Sequence, residues 1–394
     1  MDHVAKHNIM KVLQTISGLS AQSGGPSTCT CDLMKGLHDI GTNVDLLTVS
    51  SSDILGKNEP WLISVPNDCK TPLGLSNNIR STLEGSDYDL YHANALWAYS
   101  THITCKTARQ KGKPYILSPH GMLYPTALSM KKWKKWPMLR LWFYKDIYQA
   151  SCLHATCQQE AEYCRQFGYK GPIAVIPNCV VLPQGVNLKT SIYEVEGRRQ
   201  IGFLGRLHPI KNVENIIYAL GKLTPSQREH ISFQIMGKYD DRYESWLKEE
   251  VKRIGVEANV EFVGFVSGKE KYDRLTKLTA LMVPSKQENF GMIVPEALIC
   301  GTPVYASLGT PWNELNDCHC GWWRDNEPST IANIICEILK MDESELLAMG
   351  RRGRKLIEEN YEQHKVAGMM NTLYRWIVED KMKISKKPQF VNTL

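Results

Sequence analysis

Short apolar runs, many of them rich in β-branched residues, alternate along the chain with longer amphipathic stretches. This is the pattern of parallel strands wrapped by helices. In the first half the runs predict strands near Ile9–Ile16, Val44–Val49, Leu90–Ala93, Tyr115–Ser118, Leu153–Ala155 and Ala174–Ile176. In the second half they predict strands near Gln200–Phe203, Ser232–Met236, Val260–Phe262, Ala280–Val283 and Val304–Ala306. The predicted fold class is therefore α/β, with two doubly wound sheets.

The stretch between the two sets of strands, residues 177–200, has two prolines, two isolated glycines and little apolar periodicity. It predicts an interdomain linker. We therefore expect an N-terminal Rossmann-like domain over residues 1–180 and a C-terminal one over residues 181–361, facing each other across a cleft. Residues 362–394 should form a terminal helix that packs back on the first domain, with no strand after it. Ligands of such folds bind beyond the carboxyl ends of the strands.

Composition narrows the class of protein. With 43% hydrophobic and 22% charged residues among 394, the chain has the balance of a globular protein rather than a disordered one. A net charge of +6 suits an anionic partner such as a nucleotide or a lipid headgroup. No nucleic-acid-binding module accompanies that charge, so nucleic acid is not an expected partner.

Cysteine spacing and apolar runs bear on the compartment. The twelve cysteines show no repeated C-x-x-C framework and no zinc-site spacing, so we expect free thiols in a reducing compartment. The polar N-terminal residues do not resemble a signal peptide, and no apolar run approaches the roughly 18 residues of a membrane span. The expected location is the cytoplasm, with peripheral contact to the cytoplasmic face of the inner membrane.

The strongest chemical signal follows the predicted strand that ends at Val283. Glu288 falls in a polar loop, Gly291 lets the backbone approach a ligand closely, and Pro295 and Glu296 fall in the first turn of a helix. Two carboxylates suit a ligand rich in hydroxyl groups, and the adjacent helix N-terminus suits an anion. The alternative is that Glu296 only favours the helix dipole, which leaves the Gly291 loop unexplained.

Three further loops follow predicted strands. Arg206 and Lys211 come after the strand that ends near Leu204, where they can bind phosphate oxygens or form a basic surface loop. Gly24 and Gly25 precede a helix, where they offer backbone N–H groups to an anion or a close-lying sugar of the donor. They match neither a Walker loop nor a G-x-G-x-x-G fingerprint. His120, in Pro-His-Gly, follows another strand end; the alternative for it is a purely structural role.

These motifs together resemble the signature of glycosyltransferase family 4, a family of retaining enzymes with the two-domain GT-B fold. The resemblance rests on GR-x-x-x-x-K at Arg206 and Lys211 and on E-x-F-G-x-x-x-x-E at Glu288 and Glu296. It extends to the Gly24-Gly25 loop, Pro-His-Gly, Pro-Asn at 177–178 and the loop 309–312. The latter loop is similar to members that build bacterial surface polysaccharides. Where many members have glycine in the linker, this chain has Cys179, which leaves the turn after Ile176 open.

The resemblance implies roles for these residues. Arg206 and Lys211 should neutralise the leaving diphosphate, Glu296 should bind the ribose hydroxyls, and Glu288 should contact the transferred sugar. The remaining donor-site residues implied are Asn289, Phe290, Gly291, Met292 and Ile293, whose backbone should line the pocket. His120 should approach the sugar from the first domain, and Gly25 should let acceptor and donor come together.

The implied reaction moves a hexosyl or N-acetylhexosaminyl group from a nucleotide-diphosphate sugar to a hydroxyl of a glycan or lipid-linked oligosaccharide, with retention. A UDP-sugar is the first expectation and GDP-mannose the second. No cofactor or metal is expected, because preorganised cations can stabilise the leaving group. Asp87-Tyr88-Asp89 matches the Asp-x-Asp string of metal-dependent transferases, but we interpret it as an acidic turn before a strand. A nucleotide-sugar 2-epimerase and a non-catalytic nucleotide-sugar-binding protein stay as alternatives.

Residues 131–145 interleave basic and aromatic side chains. Such a segment suits the interface of an anionic membrane, whereas the alternative is a solvated helix whose aromatic rings face the core. The segment follows Pro-His-Gly in the predicted acceptor domain, so a polyprenyl-linked acceptor at a membrane is the working hypothesis. The residues assigned to this membrane or acceptor side are Lys131, Lys132, Trp133, Lys134, Lys135 and Trp136.

Overall fold

The computed structural model describes residues 10–20, 25–68, 74–181, 185–186, 189–238, 241–380 and 386–393. It divides into two compact units: Met1–Cys179 with Gln363–Leu394, and Val180–Glu362. The helix after residue 362 thus belongs to the first unit. Each predicted domain boundary lies one residue from a boundary between these units.

The strands are, in chain order, β1 (Val12–Thr15), β2 (Val44–Val49), β3 (Leu62–Val65), β4 (Leu90–Asn94), β5 (Tyr115–Ser118), β6 (Cys152–Ala155), β7 (Ile173–Val175), β8 (Glu194–Val195), β9 (Arg198–Leu204), β10 (Ile231–Met236), β11 (Val260–Gly264), β12 (Ala280–Val283), β13 (Val304–Ser307), β14 (Gly321–Arg324) and β15 (Val391–Asn392).

The α-helices are α1 (Gly25–Asp39), α2 (Asn77–Gly85), α3 (Tyr99–Gln110), α4 (Pro125–Ser129), α5 (Lys132–Met138), α6 (Tyr144–Tyr148), α7 (Gln158–Gln166), α8 (Glu214–Lys222), α9 (Pro225–Glu229), α10 (Asp241–Ile254), α11 (Gly268–Lys277), α12 (Ile293–Ile299), α13 (Glu314–Asp317), α14 (Pro328–Lys340), α15 (Glu343–Asn360) and α16 (Gln363–Asp380). A π-helical turn, Leu139–Phe143, joins α5 to α6, and short 3₁₀ turns cover Pro209–Lys211 and Glu257–Asn259.

Each unit contains one sheet. The first has the strand order β15-β7-β6-β5-β4-β1-β2-β3 and is parallel except for β15, which pairs antiparallel with β7. The second has the order β11-β10-β9-β12-β13-β14, also parallel, and β8 pairs antiparallel with β9. Both orders reverse beside one strand of the unit, β1 or β9, which is the topology of doubly wound nucleotide-binding sheets.

Burial explains why the strand predictions agree with the structure. β1, β6, β12 and β13 are buried along their whole length, because helices cover both faces of a parallel sheet. Most of their residues are apolar, and the buried polar exceptions include Gln14 in β1 and His154 in β6. Among the helices, α14 buries isoleucines at helical spacing, Ile331, Ile334, Ile335 and Ile338.

The terminal helix α16 packs on α1 within the first unit. Val366, Met370, Leu373 and Ile377 are buried in the same apolar cluster as β1 and β2. The two helices approach closely at Gly36, where an added Cβ would lie 2.8 Å from Cγ of Gln363.

The structure corrects the sequence-based predictions at four strands. The expectation that no strand follows the terminal helix was wrong, because β15 adds an edge strand beside β7. β3, β8 and β14 were also not predicted. These strands are short, and all four carry exposed or half-buried positions. The predicted linker contains β8 and the first residues of β9.

The cysteines within the described residues form no disulfide, and most are buried. Cys179, which replaces the glycine common in the linker, is 1% exposed and has no positive φ. The turn after Ile176 therefore does not require the conformational freedom of glycine.

Candidate active site

The reversal of strand order in the second unit sets the loops after β9 and β12 side by side. Both loops leave the carboxyl edge of the sheet, where doubly wound sheets bind ligands. They are joined by a hydrogen bond from the backbone N–H of Lys286 to the carbonyl of Ile210, 2.8 Å long. The sheet thus brings together the two motifs that the sequence placed about eighty residues apart.

Glu288 lies in the loop after β12, and 13% of its side chain is exposed. Its Oε1 accepts hydrogen bonds from the ammonium group of Lys211 and from Ser285 Oγ, the latter at 2.7 Å. Its Oε2 accepts no hydrogen bond within the described residues. The carboxylate is therefore held in place by a cation and keeps one oxygen for a further donor.

The loop that carries Glu288 is hydrogen-bonded to the loop after β13. The N–H of Glu288 donates to the carbonyl of Gly309 at 2.9 Å, and an added Cβ on Gly309 would lie 2.3 Å from the carbonyl oxygen of Lys286. The buried Trp312 donates from Nε1 to the carbonyl of Phe290 at 2.5 Å and packs edge-on against its ring. The role of Gly309 and Trp312 as supports of Glu288 was not predicted.

In the implied donor site, one backbone carbonyl is hydrogen-bonded within the protein, whereas three backbone N–H groups have no acceptor among the described residues. The Phe290 side chain is buried and its carbonyl is bonded to Trp312, so this residue supports the loop. The N–H groups of Gly291, Met292 and Ile293 donate to no acceptor among the described residues. Gly291 has φ +76°, a conformation that favours glycine. Asn289 lies half-buried in the same loop.

Glu296 falls in the first turn of α12, as predicted, with 14% of its side chain exposed. Its Oε1 forms an ion pair with Nζ of Lys271 on α11 at 2.8 Å. That ammonium also lies 4.5 Å from the centre of the Tyr272 ring. Lys271 was not predicted, because nothing in its local sequence distinguishes it from other surface lysines.

The loop after β9 carries the remaining cations. Lys211 has 18% of its side chain exposed and is bonded to Glu288, whereas the Arg206 side chain is exposed. Asn212 is buried with φ +57° and closes the 3₁₀ turn. The helix α8 begins after Val213, which provides no side-chain cap.

His120 lies at the carboxyl edge of the first sheet, directly after β5. Its φ is +50° and that of Gly121 is +75°, so the chain turns through two successive left-handed residues. Nε2 of His120 lies 3.1 Å from Oδ1 of Asn94, the last residue of β4. Burial, with His154 nearby, lowers the pKa of His120 to about 3, so the ring is neutral at physiological pH.

The buried carboxylate of Glu160 supports the turn at His120. The N–H of Gly121 donates to Oε1 of Glu160 at 2.5 Å, and Thr156 donates to Oε2 through its N–H and its hydroxyl, at 2.7 and 2.9 Å. Neither Glu160 nor Asn94 was predicted. Glu160 is distinguished by its burial near the start of α7. Burial is visible only in the structure, so the sequence carries no signal for this residue.

Of the paired glycines, Gly24 lies outside the described residues. Gly25 is the first residue of α1 and has no positive φ, and an added Cβ would have no atom within 4 Å. The surrounding part of the chain therefore does not itself require glycine at 25.

The basic and aromatic segment contains α5, the π-helical turn and α6. Trp133, Trp136 and Leu141 are 75%, 58% and 74% exposed, and Lys131 and Lys132 are exposed beside them.

Lys135 differs from its neighbours, because it is half-buried, donates to the carbonyl of Ala127 and lies 5.3 Å from the centre of the Trp97 ring. Its contribution to a surface charge is smaller than predicted. The side chain of Lys134 is outside the described set. No helix within the described residues is both long and apolar enough to cross a membrane.

Asp87-Tyr88-Asp89 lies in the connection between α2 and β4. Asp89 accepts a hydrogen bond from the N–H of Lys11 at 3.0 Å, and Lys113 forms ion pairs with both aspartates, at 3.7 and 3.4 Å. Asp89 thus ties this connection to the start of the first sheet.

Comparison with known proteins agrees with this architecture. Residues 23–183 match the sequence model of Glycosyltransferase Family 4, and residues 188–356 match that of Glycosyl transferases group 1. The chain aligns with an uncharacterized 41.2 kDa protein of the cps region of Klebsiella pneumoniae at 26% identity over 76% of this chain and 80% of that protein.

Two further relatives align over shorter stretches. An uncharacterized glycosyltransferase of Methanocaldococcus jannaschii is 34% identical over 31% of this chain and 30% of its own length. A GDP-mannose-dependent phosphatidylinositol dimannoside mannosyltransferase of Mycobacterium tuberculosis is 25% identical over 50% of this chain and 52% of its own length. The chain thus spans about a third to a half of these two relatives.

Among solved structures, HepE of Anabaena in complex with UDP and glucose superposes with a TM-score of 0.72 at 19% identity, over 92% of this chain and 99% of that one. Sucrose-phosphate synthase of Thermosynechococcus elongatus gives a TM-score of 0.74 at 20% identity, over 94% and 100%. The two doubly wound units and these neighbours define the GT-B fold. The chain belongs to glycosyltransferase family 4, in agreement with the resemblance of its motifs.

Proposed function

We propose that this glycosyltransferase moves a sugar from a nucleotide-diphosphate sugar to a hydroxyl of a glycan or lipid-linked acceptor, with retention and without a metal. The observation that carries the proposal is the pair of glutamates in the second unit. Each has a lysine on Oε1, Lys211 or Lys271, and an Oε2 that accepts nothing within the described residues. Two fixed acceptors beside cations suit a ligand that combines hydroxyl groups with phosphates.

Each side chain has a distinct part in the proposed mechanism. Glu296 binds the ribose hydroxyls and Glu288 binds hydroxyls of the transferred sugar. The ammonium of Lys211 has three donors, so it can keep its bond to Glu288 while it donates to a phosphate oxygen, and Arg206 adds a second cation. The N–H groups of Gly291–Ile293 provide further donors to the same anion.

Leaving-group charge governs the proposed reaction. Lys211 and Arg206 stabilise the diphosphate as the anomeric bond breaks, which gives transition-state stabilisation without a metal ion. The departing phosphate takes the proton of the acceptor hydroxyl on the face from which it leaves, so the acceptor adds to that same face. Retention follows from this geometry, and no covalent nucleophile of the protein takes part.

The relatives support the expected donors. The solved neighbour from Anabaena binds UDP and glucose, and the mycobacterial relative is GDP-mannose-dependent. The relative encoded in a cps region supports a role in bacterial capsule, O-antigen or exopolysaccharide synthesis. A thermal-shift panel of UDP- and GDP-sugars tests the donor, because a ligand of the native state raises the melting temperature.

Two alanine variants test the division of labour between the glutamates. Glu288→Ala should abolish transfer and leave nucleotide binding largely intact, whereas Glu296→Ala should weaken nucleotide binding itself. The opposite pattern would refute the assignment.

Transfer that EDTA abolishes and Mg²⁺ or Mn²⁺ restores would refute metal independence. Release of free sugar epimerised at C2, without transfer, would favour the 2-epimerase alternative.

We also propose that residues 130–148 of the first unit contact an anionic membrane that holds the acceptor. The exposed apolar side chains of the segment are Met130, Trp133, Trp136, Leu141, Tyr144 and Tyr148. They are interspersed with Lys131, Lys132, Arg140 and Lys145, which are also exposed. Cations attracted to headgroups beside rings at the boundary are the pattern of interfacial segments.

Vesicle sedimentation tests the membrane proposal. Lys131, Lys132, Lys134 and Lys135 are changed together to glutamine, and binding to vesicles with anionic lipid is compared with the wild type. The control changes four exposed lysines elsewhere in the first unit, Lys35, Lys57, Lys106 and Lys170. Both variants lose the same charge, so only the first should lose binding. Equal effects of the two variants would refute a specific docking segment.

A further inference from the structure

Buried polar side chains form a continuous hydrogen-bonded chain through the first unit, and His120 lies at one end of it. Asn94 fixes the direction at that end. Its Nδ2 lies 3.0 Å from Oε1 of Gln14 and 3.4 Å from the carbonyl of Thr15, and both of these oxygens only accept. Oδ1 of Asn94 therefore faces Nε2 of His120, and this nitrogen carries the proton.

The other end of the chain is fixed by the carbonyl of Ile176. It accepts from Nε2 of His154 at 2.9 Å, so Nδ1 of that neutral ring accepts from the hydroxyl of Ser118 at 2.7 Å. Ser118 Oγ in turn accepts from Nε2 of His92 at 2.6 Å. The remaining nitrogen of His92, Nδ1, then accepts from the hydroxyl of Tyr374 at 2.9 Å.

Tyr374 on α16 joins the two halves. Its hydroxyl donates to His92 and accepts from Nε2 of Gln14 at 2.8 Å, which leaves Oε1 of Gln14 to accept from Asn94. The two backbone carbonyls, at separate points of the chain, thus impose the same direction of donation. Burial lowers the pKa of His154 to about 4 and that of His92 well below its ordinary value, so both rings stay neutral donors and acceptors.

We propose that Tyr374, through Gln14 and Asn94, is a positioning residue that holds the proton of His120 on Nε2 and leaves Nδ1 as a hydrogen-bond acceptor. Nδ1 of His120 makes no hydrogen bond with the part of the chain that the structure describes. An acceptor nitrogen binds a hydroxyl donor and repels a phosphate oxygen. In this respect the inference rests on the proposed function, since a sugar hydroxyl would be the group that Nδ1 binds.

Nitrogen NMR of the full chain labelled with ¹⁵N-histidine tests the proposal without substrate. Long-range ¹H–¹⁵N correlations distinguish a protonated ring nitrogen from an unprotonated one, and the signal of His120 is assigned by its loss in His120→Gln. At pH 7.5 we expect a single neutral tautomer with the proton on Nε2. A proton on Nδ1, or averaging between the two nitrogens, would overturn the proposal on the wild-type protein alone.

Tyr374→Phe tests the positioning role, and Tyr91→Phe is the matched control. Tyr91 is also fully buried in the first unit, but its hydroxyl is bonded to Ser86, outside the chain that leads to His120. Removal of the Tyr374 hydroxyl leaves the Asn94 amide oriented by its contact of 3.4 Å with the Thr15 carbonyl, which is weaker than a hydrogen bond near 3.0 Å. The Gln14 and Asn94 amides can then rotate together, so His120 should exchange between tautomers, while Tyr91→Phe should leave it unchanged. A pure Nε2–H signal in Tyr374→Phe would overturn the role of Tyr374.

Transfer assays separate this inference from the proposed function. If no nucleotide-sugar is turned over while the Nε2–H tautomer is observed, the proposed function is wrong and the hydrogen-bond chain stands. If transfer proceeds but the tautomer is Nδ1–H, the inference is wrong and the proposed function stands.

Discussion

Replacement of Glu296 by glutamine should weaken nucleotide binding through loss of the ribose contact. Hydrogen bonds to a charged group contribute about 1.5–3 kcal/mol each. Glutamine keeps one oxygen acceptor and loses the charge, so a loss of roughly 1.5–3 kcal/mol is expected, which corresponds to about a 10- to 150-fold rise in Kd. Isothermal titration calorimetry with UDP and GDP measures it directly.

A ligand that lacks the ribose hydroxyls distinguishes loss of the ribose contact from a general loss of nucleotide affinity. The Glu296→Gln effect should nearly vanish for the 2′,3′-dideoxy nucleoside diphosphate, because the groups that the carboxylate binds are missing from that ligand. The control is Glu270→Gln, a change of the same kind on α11, where Glu270 is 58% exposed and paired with Arg274 at 2.9 Å. An equal loss of affinity for both ligands would refute ribose binding by Glu296.

The ion pair between Lys271 and Glu296 should also contribute to the free energy of unfolding. Exposed pairs contribute up to about 1 kcal/mol and loss of one partner of a fully buried pair costs about 3–5 kcal/mol. Because the side chains of Lys271 and Glu296 are 19% and 14% exposed, Lys271→Met should lower the free energy of unfolding by roughly 1–2 kcal/mol. Urea unfolding of Lys271→Met and Glu270→Gln, side by side, measures the difference.

Three further predictions concern the first unit. Asp146→Ala should lower the free energy of unfolding by about 3–5 kcal/mol in urea titrations, because the fully buried carboxylate is bonded to Arg109 at 2.6 Å and its loss leaves that guanidinium unpaired; a loss below 1 kcal/mol would contradict this. Glu160→Gln replaces the carboxylate that accepts from the Gly121 N–H by an amide. It should reduce kcat of transfer more than it reduces nucleotide affinity. An unchanged kcat would argue against a role of Glu160 in supporting the turn at His120. The folded-state pKa values of His120 and His154, about 3 and about 4, lie below the ordinary value near 6.5, so the unfolded state binds more protons below that pH. Stability should therefore fall as pH drops from 7.5 to 5, by roughly 2 kcal/mol for each ring, and the pH slope should be smaller in His154→Gln if this cause is correct.

Much of the fold could be predicted because its signals are local. β2, β5 and β12 were predicted at the bounds that the structure shows, since a strand buried on both faces is a largely apolar run. β3 and β15 were missed because short strands at a sheet edge need not be apolar, and their pairing with β2 and β7 comes from distant parts of the chain.

The candidate site divides in the same way. Glu288, Glu296, Arg206 and Lys211 lie in contiguous motifs with a recognisable spacing, so the sequence identifies them. The partner of Glu296 is different, because Lys271 is an unremarkable lysine of a surface helix until α11 packs beside α12.

In the first unit, the sequence by itself determined that His120 follows a strand and precedes a glycine at a predicted ligand-binding edge. Its protonation state, tautomer and support were decided only by the tertiary structure. Asn94, Glu160 and Tyr374 are distant from His120 in sequence. In the fold, Asn94 is bonded to its ring and Glu160 to the next residue, Gly121, whereas Tyr374 is linked to it through Gln14 and Asn94. A hydrogen bond depends on the distance and direction between two atoms, and for residues far apart in sequence only the folded chain sets these.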